Sequence, residues 1–326
     1  MARKKSVISN FIATADGQSI VGTAGDDIMD STFNHTTLVG GDGADTISTS
    51  LTGRAEDDGL YAFQNGGVGR DTLTFTLRGR AYYAGVVQEG GGGDDTITSS
   101  IGLAMYDYSN PHFDYVEAYG MGGGGNDVIR MSASVGGGTV VQEAYGGVGT
   151  DDISLTGYAY IGTVTLYAEG GAGDDRIEAV ADGTWRTDTT VELYGGDGND
   201  TLIVSVLDGN VLGVDLYGGE GDDILSNENM AFSGHLYGDD GNDVLKSGWN
   251  TDWLEGGAGA DLFHVRASDW DIIVDFDLAE GDRLVLSAGT SVTGMTQSGG
   301  NTVLVLNSGQ LQLLGVTDLD LSQAFA

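Results

Sequence analysis

The sequence predicts an all-β protein, a solenoid of stacked parallel turns that carries repeated loops along one edge. Three observations support this fold class. A loop rich in glycine and aspartate recurs eleven times along the 326-residue chain. Each loop leads into a strand-like segment, as in TLIVSV, where Leu202, Val204 and Val206 share one face. Glycine occurs 57 times and proline once, without the three-residue period of collagen. Self-similarity at a period of about 20 to 50 residues is typical of solenoids.

The repeated loop follows the pattern G-G-x-G-x-D-x-U-x, in which U is apolar, and clear copies begin at Gly195 and Gly218. Successive copies begin 18 to 32 residues apart. The fourth position is always glycine: Gly25, Gly43, Gly69, Gly93, Gly125, Gly149, Gly173, Gly198, Gly221, Gly241 and Gly259. The sixth is always aspartate: Asp27, Asp45, Asp71, Asp95, Asp127, Asp151, Asp175, Asp200, Asp223, Asp243 and Asp261. The eighth is always apolar: Met29, Ile47, Leu73, Ile97, Ile129, Ile153, Ile177, Leu202, Leu225, Leu245 and Phe263.

Each position of the loop has a physical role. Glycine accepts a positive φ and lets the backbone turn its carbonyl groups toward one point, and the aspartate adds a charged oxygen. Carbonyl and carboxylate oxygens at an adaptable site are the ligands of Ca²⁺, whereas Mg²⁺ requires a stricter octahedron and retained waters. The apolar eighth residue begins a strand whose alternate side chains point inward. We therefore predict that these aspartates and glycines hold calcium. A metal-free array of glycine turns would not require aspartate in every copy.

The motif resembles the RTX family of calcium-binding proteins, whose nonapeptides form a right-handed parallel β-roll. In that family two nonapeptides make one 18-residue turn, and calcium lies along two edges. Here the segment nine residues before a loop lacks the ligands, as in STFNHTTLV from Ser31 and NMAFSGHLY from Asn229, and only SGWNTDWLE keeps an aspartate, Asp252. The apolar positions of the second half-turn remain: Leu38, Leu193, Leu216, Leu236 and Leu254. We expect a core on both sides, calcium along one edge, and a second edge free to lengthen.

Calcium is expected to be part of the folded structure. One ion between each adjacent pair of loops would place ~10 Ca²⁺ in a column of about 48 Å at the usual strand spacing. The ions would change the formal charge from −36 to roughly −16. Without calcium the stacked aspartates repel one another, so we expect metal binding and folding to be one linked event.

Composition excludes several functions. The chain has 13 Lys and Arg against 49 Asp and Glu, which argues against nucleic acid as a partner. It has no cysteine, so neither disulfides nor thiolate metal sites stabilise it. The basic start MARKKS is a poor secretory signal, and no stretch approaches the ~18 apolar residues of a membrane-spanning helix. We expect a soluble protein that leaves the cell, to the extracellular space or the cell surface, without a cleaved N-terminal signal.

Catalytic motifs are missing from the sequence. The four histidines are scattered without an H-E-x-x-H motif, and neither G-x-S-x-G nor a phosphate-binding loop occurs. Carboxylate pairs such as Asp151 and Asp152 fall in the predicted calcium loops, where a ligand role is favoured over acid–base catalysis. We therefore expect no enzyme activity.

The chain divides into an N-terminal arm or cap (1–21), the solenoid (22–264) and a C-terminal β cap (265–326). The last part reads as strands, with a hairpin turning near residues 307–309. Its D-x-I-x-D-F segment, beginning at Asp271, resembles the capping region of RTX proteins. That resemblance, with the tail DLDLSQAFA, implies export by a type I system. A polar cap required by any solenoid end is compatible with it.

Aromatic residues gather in the variable half-turns opposite the loops. The candidate interaction edge comprises Tyr82, Tyr83, Tyr106, Tyr108, Phe113, Tyr158, Tyr160, Trp185, Phe232 and Trp249. Such rows mark sugar-binding or protein-binding surfaces, or they plug the core where the roll widens. Both interpretations stay open. A second row, Tyr145, Tyr194, Tyr217 and Tyr237, directly precedes the glycines, and we expect an outward stacking ladder without a special function.

Three functions are compatible with these observations. The first is a secreted, calcium-folded structural protein that self-associates into an extracellular matrix, biofilm, surface layer or filament. The second is a polysaccharide-binding or adhesion module, similar to the R-modules of alginate-modifying enzymes, that uses the aromatic edge. The third and weakest is an ice-binding solenoid, because the segments vary in length and lack a regular threonine ladder.

Overall fold

The computed structural model describes residues 8–54, 59–104, 114–230, 232–266 and 270–326. In these ranges the chain contains strands and no helix, which confirms the predicted all-β class. Successive strands alternate between two sheets of parallel strands, so each turn of the solenoid contributes one strand to each sheet. No helix that is long and apolar enough to span a membrane occurs in the described part of the chain.

The sheet that follows the loops, called sheet A, has 13 strands. In order they are β1 (Ser9–Ile12), β3 (Asp27–Ser31), β5 (Thr46–Thr52), β7 (Thr72–Gly79), β9 (Thr96–Leu103), β11 (Val128–Val135), β13 (Asp152–Ala159), β15 (Arg176–Asp182), β17 (Thr201–Val206), β19 (Ile224–Ser226), β21 (Val244–Lys246), β23 (Leu262–Val265) and β25 (Arg283–Leu286). All neighbouring strands of sheet A pair in parallel, as β11 and β13 do from Val128 opposite Asp152 onward.

The sheet that precedes the loops, called sheet B, has 15 strands. In order they are β2 (Ser19–Val21), β4 (Thr36–Asp42), β6 (Leu60–Val68), β8 (Tyr83–Gly92), β10 (Asp114–Gly124), β12 (Gly138–Val148), β14 (Gly162–Ala172), β16 (Thr187–Asp197), β18 (Asn210–Glu220), β20 (His235–Asp240), β22 (Trp253–Glu255), β24 (Trp270–Ile273), β28 (Gln310–Leu313), β27 (Asn301–Leu306) and β26 (Val292–Ser298). The last pairings, β28 with β27 and β27 with β26, are antiparallel.

The core lies between the two sheets and is contributed by both halves of each turn. The apolar eighth residues of all eleven loops are 0 % exposed. Their counterparts in the second half-turn, such as Leu38 and Leu236, are equally buried. Inward residues alternate with outward ones along the strands, as in β17, where Leu202, Val204 and Val206 are buried. The predicted two-sided core is therefore confirmed.

The core also contains amides that the sequence pattern does not reveal. Gln64 and Gln88 are fully buried on adjacent strands, and Nε2 of Gln88 donates to Oε1 of Gln64 at 2.8 Å. Nε2 of Gln64 donates in turn to Oγ1 of Thr49 at 3.1 Å. These hydrogen bonds offset the desolvation of both amide nitrogens and of Oε1 of Gln64 inside an apolar interior, whereas Oε1 of Gln88 is buried without a hydrogen-bond partner.

The unequal repeat lengths are absorbed away from the loops. The connection between β11 and β12 contains only residues 136–137, whereas that between β19 and β20 contains residues 227–234. The strands also vary, from three residues in β19 to eleven in β10. Because the loop edge stays regular, the differences in repeat length fall on the second edge, as expected.

Both ends of the solenoid extend past the loops. β1 and β2 pair with β3 and β4, which places one further turn before Gly22. At the other end, β27 and β28 form the predicted hairpin around residues 307–309, and β28 pairs with β24 to close sheet B. The backbone N–H of Leu284 in β25 donates to the carbonyl of Ala324 at 2.7 Å, so the C-terminal segment covers the last strand of sheet A.

Candidate metal centre

The eleven loops stack along one edge, between each strand of sheet B and the following strand of sheet A. Their sixth-position aspartates form a continuous hydrogen-bonded ladder. The backbone N–H of Asp151 donates to Oδ1 of Asp175 at 2.7 Å, and the N–H of Asp175 donates to Oδ1 of Asp200 at 2.7 Å. The same bond recurs through the column and ends with Asp261 donating to Oδ1 of Asp282 at 2.9 Å. Asp282 therefore joins the ladder, a role that the sequence pattern did not predict.

The second oxygen of these carboxylates defines the candidate site. In the described chain, Oδ2 is buried and lacks a hydrogen-bond donor in ten of the eleven loop aspartates: Asp45, Asp71, Asp95, Asp127, Asp151, Asp175, Asp200, Asp223, Asp243 and Asp261. A buried carboxylate oxygen without a donor or counter-charge is costly, so repetition at ten positions indicates that a cation belongs there.

The first glycine of each loop shapes the space around this oxygen. A Cβ atom added to Gly170 would lie 2.4 Å from Oδ2 of Asp175 and 2.7 Å from the carbonyl oxygen of Gly195 in the next loop. The same pair of oxygens, from its own aspartate and from the next loop, faces Gly146. Two acceptor oxygens thus converge on a space that only glycine leaves open. The motif contained these first glycines, but the sequence analysis did not assign them to the site.

Ten of the eleven fourth-position glycines, all except Gly25, have the predicted positive φ. From Gly43 to Gly259 their φ values lie between 117 and 152°. A Cβ atom added to Gly173 would lie 2.0 Å from the carbonyl oxygen of Gly149 in the preceding loop. L-residues rarely adopt such φ values, and the close approach of successive loops excludes a side chain. These glycines direct their carbonyl oxygens toward the next loop.

Burial also changes the protonation of the ladder. Desolvation, assisted by neighbouring carboxylates and opposed by the backbone N–H bond, raises the pKa of Asp95, Asp175, Asp223 and Asp243 to about 7. The same causes raise the pKa of Asp45, Asp127 and Asp261 to about 6. Each side chain therefore retains a proton more readily than a free aspartate, unless a cation replaces that proton.

The donor set fits calcium. In the described residues no three His, Asp or Glu side chains converge on one point. Each gap between loops instead offers one carboxylate oxygen and backbone carbonyl oxygens, a hard and adaptable set typical of Ca²⁺ sites. The residues present therefore fit the ion, with the sixth-position aspartates and the glycine carbonyl groups as its candidate ligands.

The two ends of the column differ from its middle. Thr23 occupies the position of the second glycine in the first loop, and both its N–H and its hydroxyl donate to Oδ2 of Asp27. At the far end, Oδ2 of Asp282 accepts the N–H of Asp277 at 2.8 Å. The terminal carboxylates are thus satisfied by hydrogen bonds within the chain.

The second edge holds its aspartate differently. Oδ1 of Asp252 accepts bonds from Nδ2 of Asn227 at 2.7 Å and from the N–H of Gly234 at 2.8 Å. Its Oδ2 accepts the N–H of Gly248 at 2.7 Å. This fully buried carboxylate ties three segments of the far edge together. Its geometry agrees with the expectation that calcium lies along the other edge.

The candidate aromatic edge divides into separate surfaces. In the far-edge turns, Tyr82, Tyr160, Trp185 and Trp249 are 37 to 73 % exposed, and Phe232 packs against the core. Arg186 and Arg266 lie over the rings of Trp185 and Trp249, at 4.5 and 3.8 Å from the centroids. Tyr83 lies instead on the outer face of sheet B and Tyr158 on that of sheet A. Tyr106, Tyr108 and Phe113 fall outside the described residues. One continuous aromatic row does not form among the described members.

The second tyrosine row does form an outward stack, as predicted, and Tyr167 joins it. The ring centroids of Tyr194 and Tyr217 are 4.7 Å apart, and those of Tyr217 and Tyr237 are 4.8 Å apart. Tyr167 lies between Tyr145 and Tyr194 with tilted rings at 5.5 Å on each side. The sequence analysis missed Tyr167 because it precedes its glycine by three residues instead of one.

Sheet A carries a hydroxyl array that the sequence analysis did not recognise. Nine serine and threonine residues of β5, β7 and β9 align in three in-register columns: Thr46, Thr72 and Thr96; Ser48, Thr74 and Thr98; and Ser50, Thr76 and Ser100. The expectation that no regular threonine ladder exists was therefore wrong for these three turns. The ladder was hidden because its members lie 24 to 26 residues apart.

Comparison with known proteins agrees with this geometry. The family model of the RTX calcium-binding nonapeptide repeat matches the chain in four copies, at residues 31–51, 192–204, 215–228 and 231–263. These segments contain the loops that begin at Gly40, Gly195, Gly218, Gly238 and Gly256. No curated protein matches the chain.

Proposed function

We propose that this chain, a β-solenoid with four segments that match the RTX calcium-binding repeat, is a secreted structural protein that folds on calcium. The observation that carries this proposal is the column of ten buried Oδ2 atoms without donors. Ten buried acidic groups in one column repel one another, and divalent cations relieve this repulsion and supply the missing partners.

Calcium-dependent folding supports a location outside the cell. Extracellular calcium sites work at about 10⁻⁴ to 10⁻³ M, so such sites remain empty in a low-calcium cytosol. RTX repeat proteins are typically exported by type I secretion, and the expected route for this chain is the same. The chain would pass through the exporter unfolded and form its solenoid outside.

We propose a structural role without catalysis, which the arrangement of the described residues supports. Stacked turns and their terminal strands account for the described residues from Ser9 onward, and the acidic groups on the loop edge are arranged as ligands. A catalytic carboxylic acid must donate and accept protons during turnover, whereas a bound cation keeps the carboxylate ionised.

Self-association is proposed through the N-terminal end of the solenoid. Among the residues that the structure describes, β1 and β2 are the outermost strands of the two sheets there. Ile12 at the end of β1 is 67 % exposed, and Val21 at the end of β2 is 65 % exposed. An unpaired parallel edge flanked by apolar side chains is a template for another strand. We propose that it joins a second copy in an extracellular matrix, surface layer or filament.

A polysaccharide-binding or adhesion role is the second candidate. It is favoured by Trp185 and Trp249, which are 73 and 51 % exposed in turns of the far edge. Their separation from Tyr83 and Tyr158 restricts this surface to the turns. The ice-binding alternative loses support because the hydroxyl array gives way to Val128 and Arg130 in the next strand.

A calcium titration tests the proposal. Purified chain is dialysed free of calcium and titrated while circular dichroism and light scattering are recorded together. A cooperative gain of β-structure with growth into large particles supports a calcium-triggered assembly protein. The same folding with a persistent monomer favours the binding module and leads to glycan binding assays. Full β-structure in excess chelator contradicts the calcium column.

A further inference from the structure

The outer face of sheet B carries three tyrosines whose rings are closely stacked and almost parallel. Tyr194, Tyr217 and Tyr237 occupy one in-register column on β16, β18 and β20. Their adjacent rings are separated by 4.7 and 4.8 Å between centroids, with interplanar angles of 6 and 4°. All three side chains are half-buried, so their outer edges remain in contact with solvent. Oxidants in solution can therefore reach a set of phenols that is already paired.

We propose that this column is a modification site, in which a haem peroxidase and hydrogen peroxide couple Tyr217 to Tyr194 or to Tyr237 as dityrosine. The inference goes beyond the calcium function and depends on the ring geometry alone. The carbons that must join are those next to the hydroxyl group of each ring. Because the two rings are parallel and one strand apart, these carbons are held near each other, which lowers the entropic cost of joining them.

The chemistry balances with the named oxidant. Each of two phenols loses one electron to the peroxidase and releases its hydroxyl proton, which forms two tyrosyl radicals. The radicals join through one carbon–carbon bond between ring carbons ortho to the oxygens, and the two displaced ring hydrogens return to the oxygens as protons. Two electrons and two protons are lost in total, and they reduce one hydrogen peroxide to two waters.

The surroundings of the column favour this outcome. Asp215 lies two residues before Tyr217 on the same outward face of β18, and Glu255 lies opposite Tyr237 on β22. These carboxylates are nearby acceptors for the released phenol protons. The chain has no cysteine, so no thiol competes as an internal reductant. The resulting bond would join successive turns covalently in a protein that lacks disulfides.

The test uses the full chain in calcium at low protein concentration. It is treated with horseradish peroxidase and hydrogen peroxide, digested and analysed by mass spectrometry for paired peptides lighter by two hydrogens. The expected products link Tyr194 to Tyr217 or Tyr217 to Tyr237. Tyr217→Phe is expected to abolish both, because its neighbours are then two strands apart. Tyr167→Phe is the matched control, since it removes a tilted ring of the same row and should leave both products.

Three results would overturn the proposal. They are cross-links formed mainly between chains, cross-links spread over all tyrosines, and unchanged dityrosine fluorescence in Tyr217→Phe. A wild-type sample oxidised in chelator provides a second measurement that does not depend on the variants. If calcium-dependent folding creates the stack, the two specific products should disappear in chelator. Their persistence in unfolded chain would show that sequence proximity, and not stacking, causes the coupling.

Discussion

At the scale of single residues, the site depends on what each loop position excludes as much as on what it supplies. Asp175 supplies one oxygen to the ladder and directs the other toward the next loop. Gly170 supplies no side chain, and that absence keeps the space beside Oδ2 open. A charge and a missing methyl group are thus equally necessary, and each can be tested with a neighbouring control.

The Asp175→Asn substitution should weaken calcium binding. The amide oxygen can still accept the N–H of Asp151, but the charged second oxygen is lost. We expect about one ion fewer per chain and a calcium midpoint for folding raised by about two- to tenfold. The control is Asp174→Asn, which makes the same charge change at an exposed carboxylate that accepts the N–H of Asn199. Equal midpoints in the two variants, measured by circular dichroism, would contradict the assigned roles.

The Gly170→Ala substitution should abolish one calcium site, because the added methyl group occupies the space of the ion. Its Cβ would lie 2.4 Å from Oδ2 of Asp175, so we expect loss of an ion and about 1–3 kcal/mol from the free energy of unfolding in calcium. Gly124→Ala is the control, because a Cβ there meets no atom within 4 Å. That variant should change stability by less than about 0.5 kcal/mol. Denaturant unfolding in calcium compares the two, and a similar loss in both would disprove the steric argument.

At the scale of elements, the aspartate ladder behaves as one column whose charge depends on pH. Its members sit at the junction of two sheets, where strand pairing fixes the distance between neighbouring carboxylates. Hydrogen bonding satisfies Oδ1 of each loop aspartate from Asp45 to Asp261 and leaves its Oδ2 for either a proton or a cation. Protons and calcium therefore compete for the same column.

The calcium-free chain should gain β-structure on mild acidification. In the folded state burial raises the pKa of ladder aspartates from 3.8 to about 6 or 7, so between these values the folded chain binds more protons than the unfolded one. Its free energy of unfolding therefore falls as the pH rises from about 4 to 7. Circular dichroism of calcium-free protein between pH 5 and 8 checks this expectation. Calcium affinity should change in the opposite direction and rise with pH, and a calcium-free β signal that grows with pH would contradict the argument.

At the scale of the whole molecule, the loop edge and the far edge have different structural roles. The loop edge repeats with little variation, while the far edge absorbs insertions in its turns and ties them with contacts such as those of Asp252. Part of the formal charge of −36 is therefore concentrated in the column of loop aspartates, where divalent cations reduce it most effectively.

Calcium stoichiometry should follow the unsatisfied carboxylates. Native mass spectrometry is expected to find about ten ions per folded chain. Asp45→Asn should lower that number, because Oδ2 of Asp45 lacks a donor. Asp27→Asn should leave it unchanged, because Thr23 already donates to Oδ2 of Asp27. A chain that binds far fewer ions, or a loss of equal size in both variants, would show that the unpaired oxygens do not mark the sites.

By itself, the sequence determined the solenoid, its two-sided core and the loops of the calcium edge. This was possible because the loop motif and its apolar eighth position repeat within one local segment, where spacing translates directly into backbone turns and strand faces. The terminal hairpin was predicted for the same reason, since a turn joins two adjacent strands.

Only the tertiary structure decided what lies beside what across turns of unequal length. The stacked turns brought the ring of Tyr167 diagonally between those of Tyr145 and Tyr194. The register aligned Thr46 with Thr72 and Thr96, and the fold divided the candidate aromatic edge. It also showed that Thr23 satisfies the first carboxylate and that Asp282 extends the ladder. Apart from the contact of Thr23 with Asp27, which lies within one loop, these relations join residues 18 to 32 positions apart, because each turn sets its own length at the far edge before it returns to register at the loops.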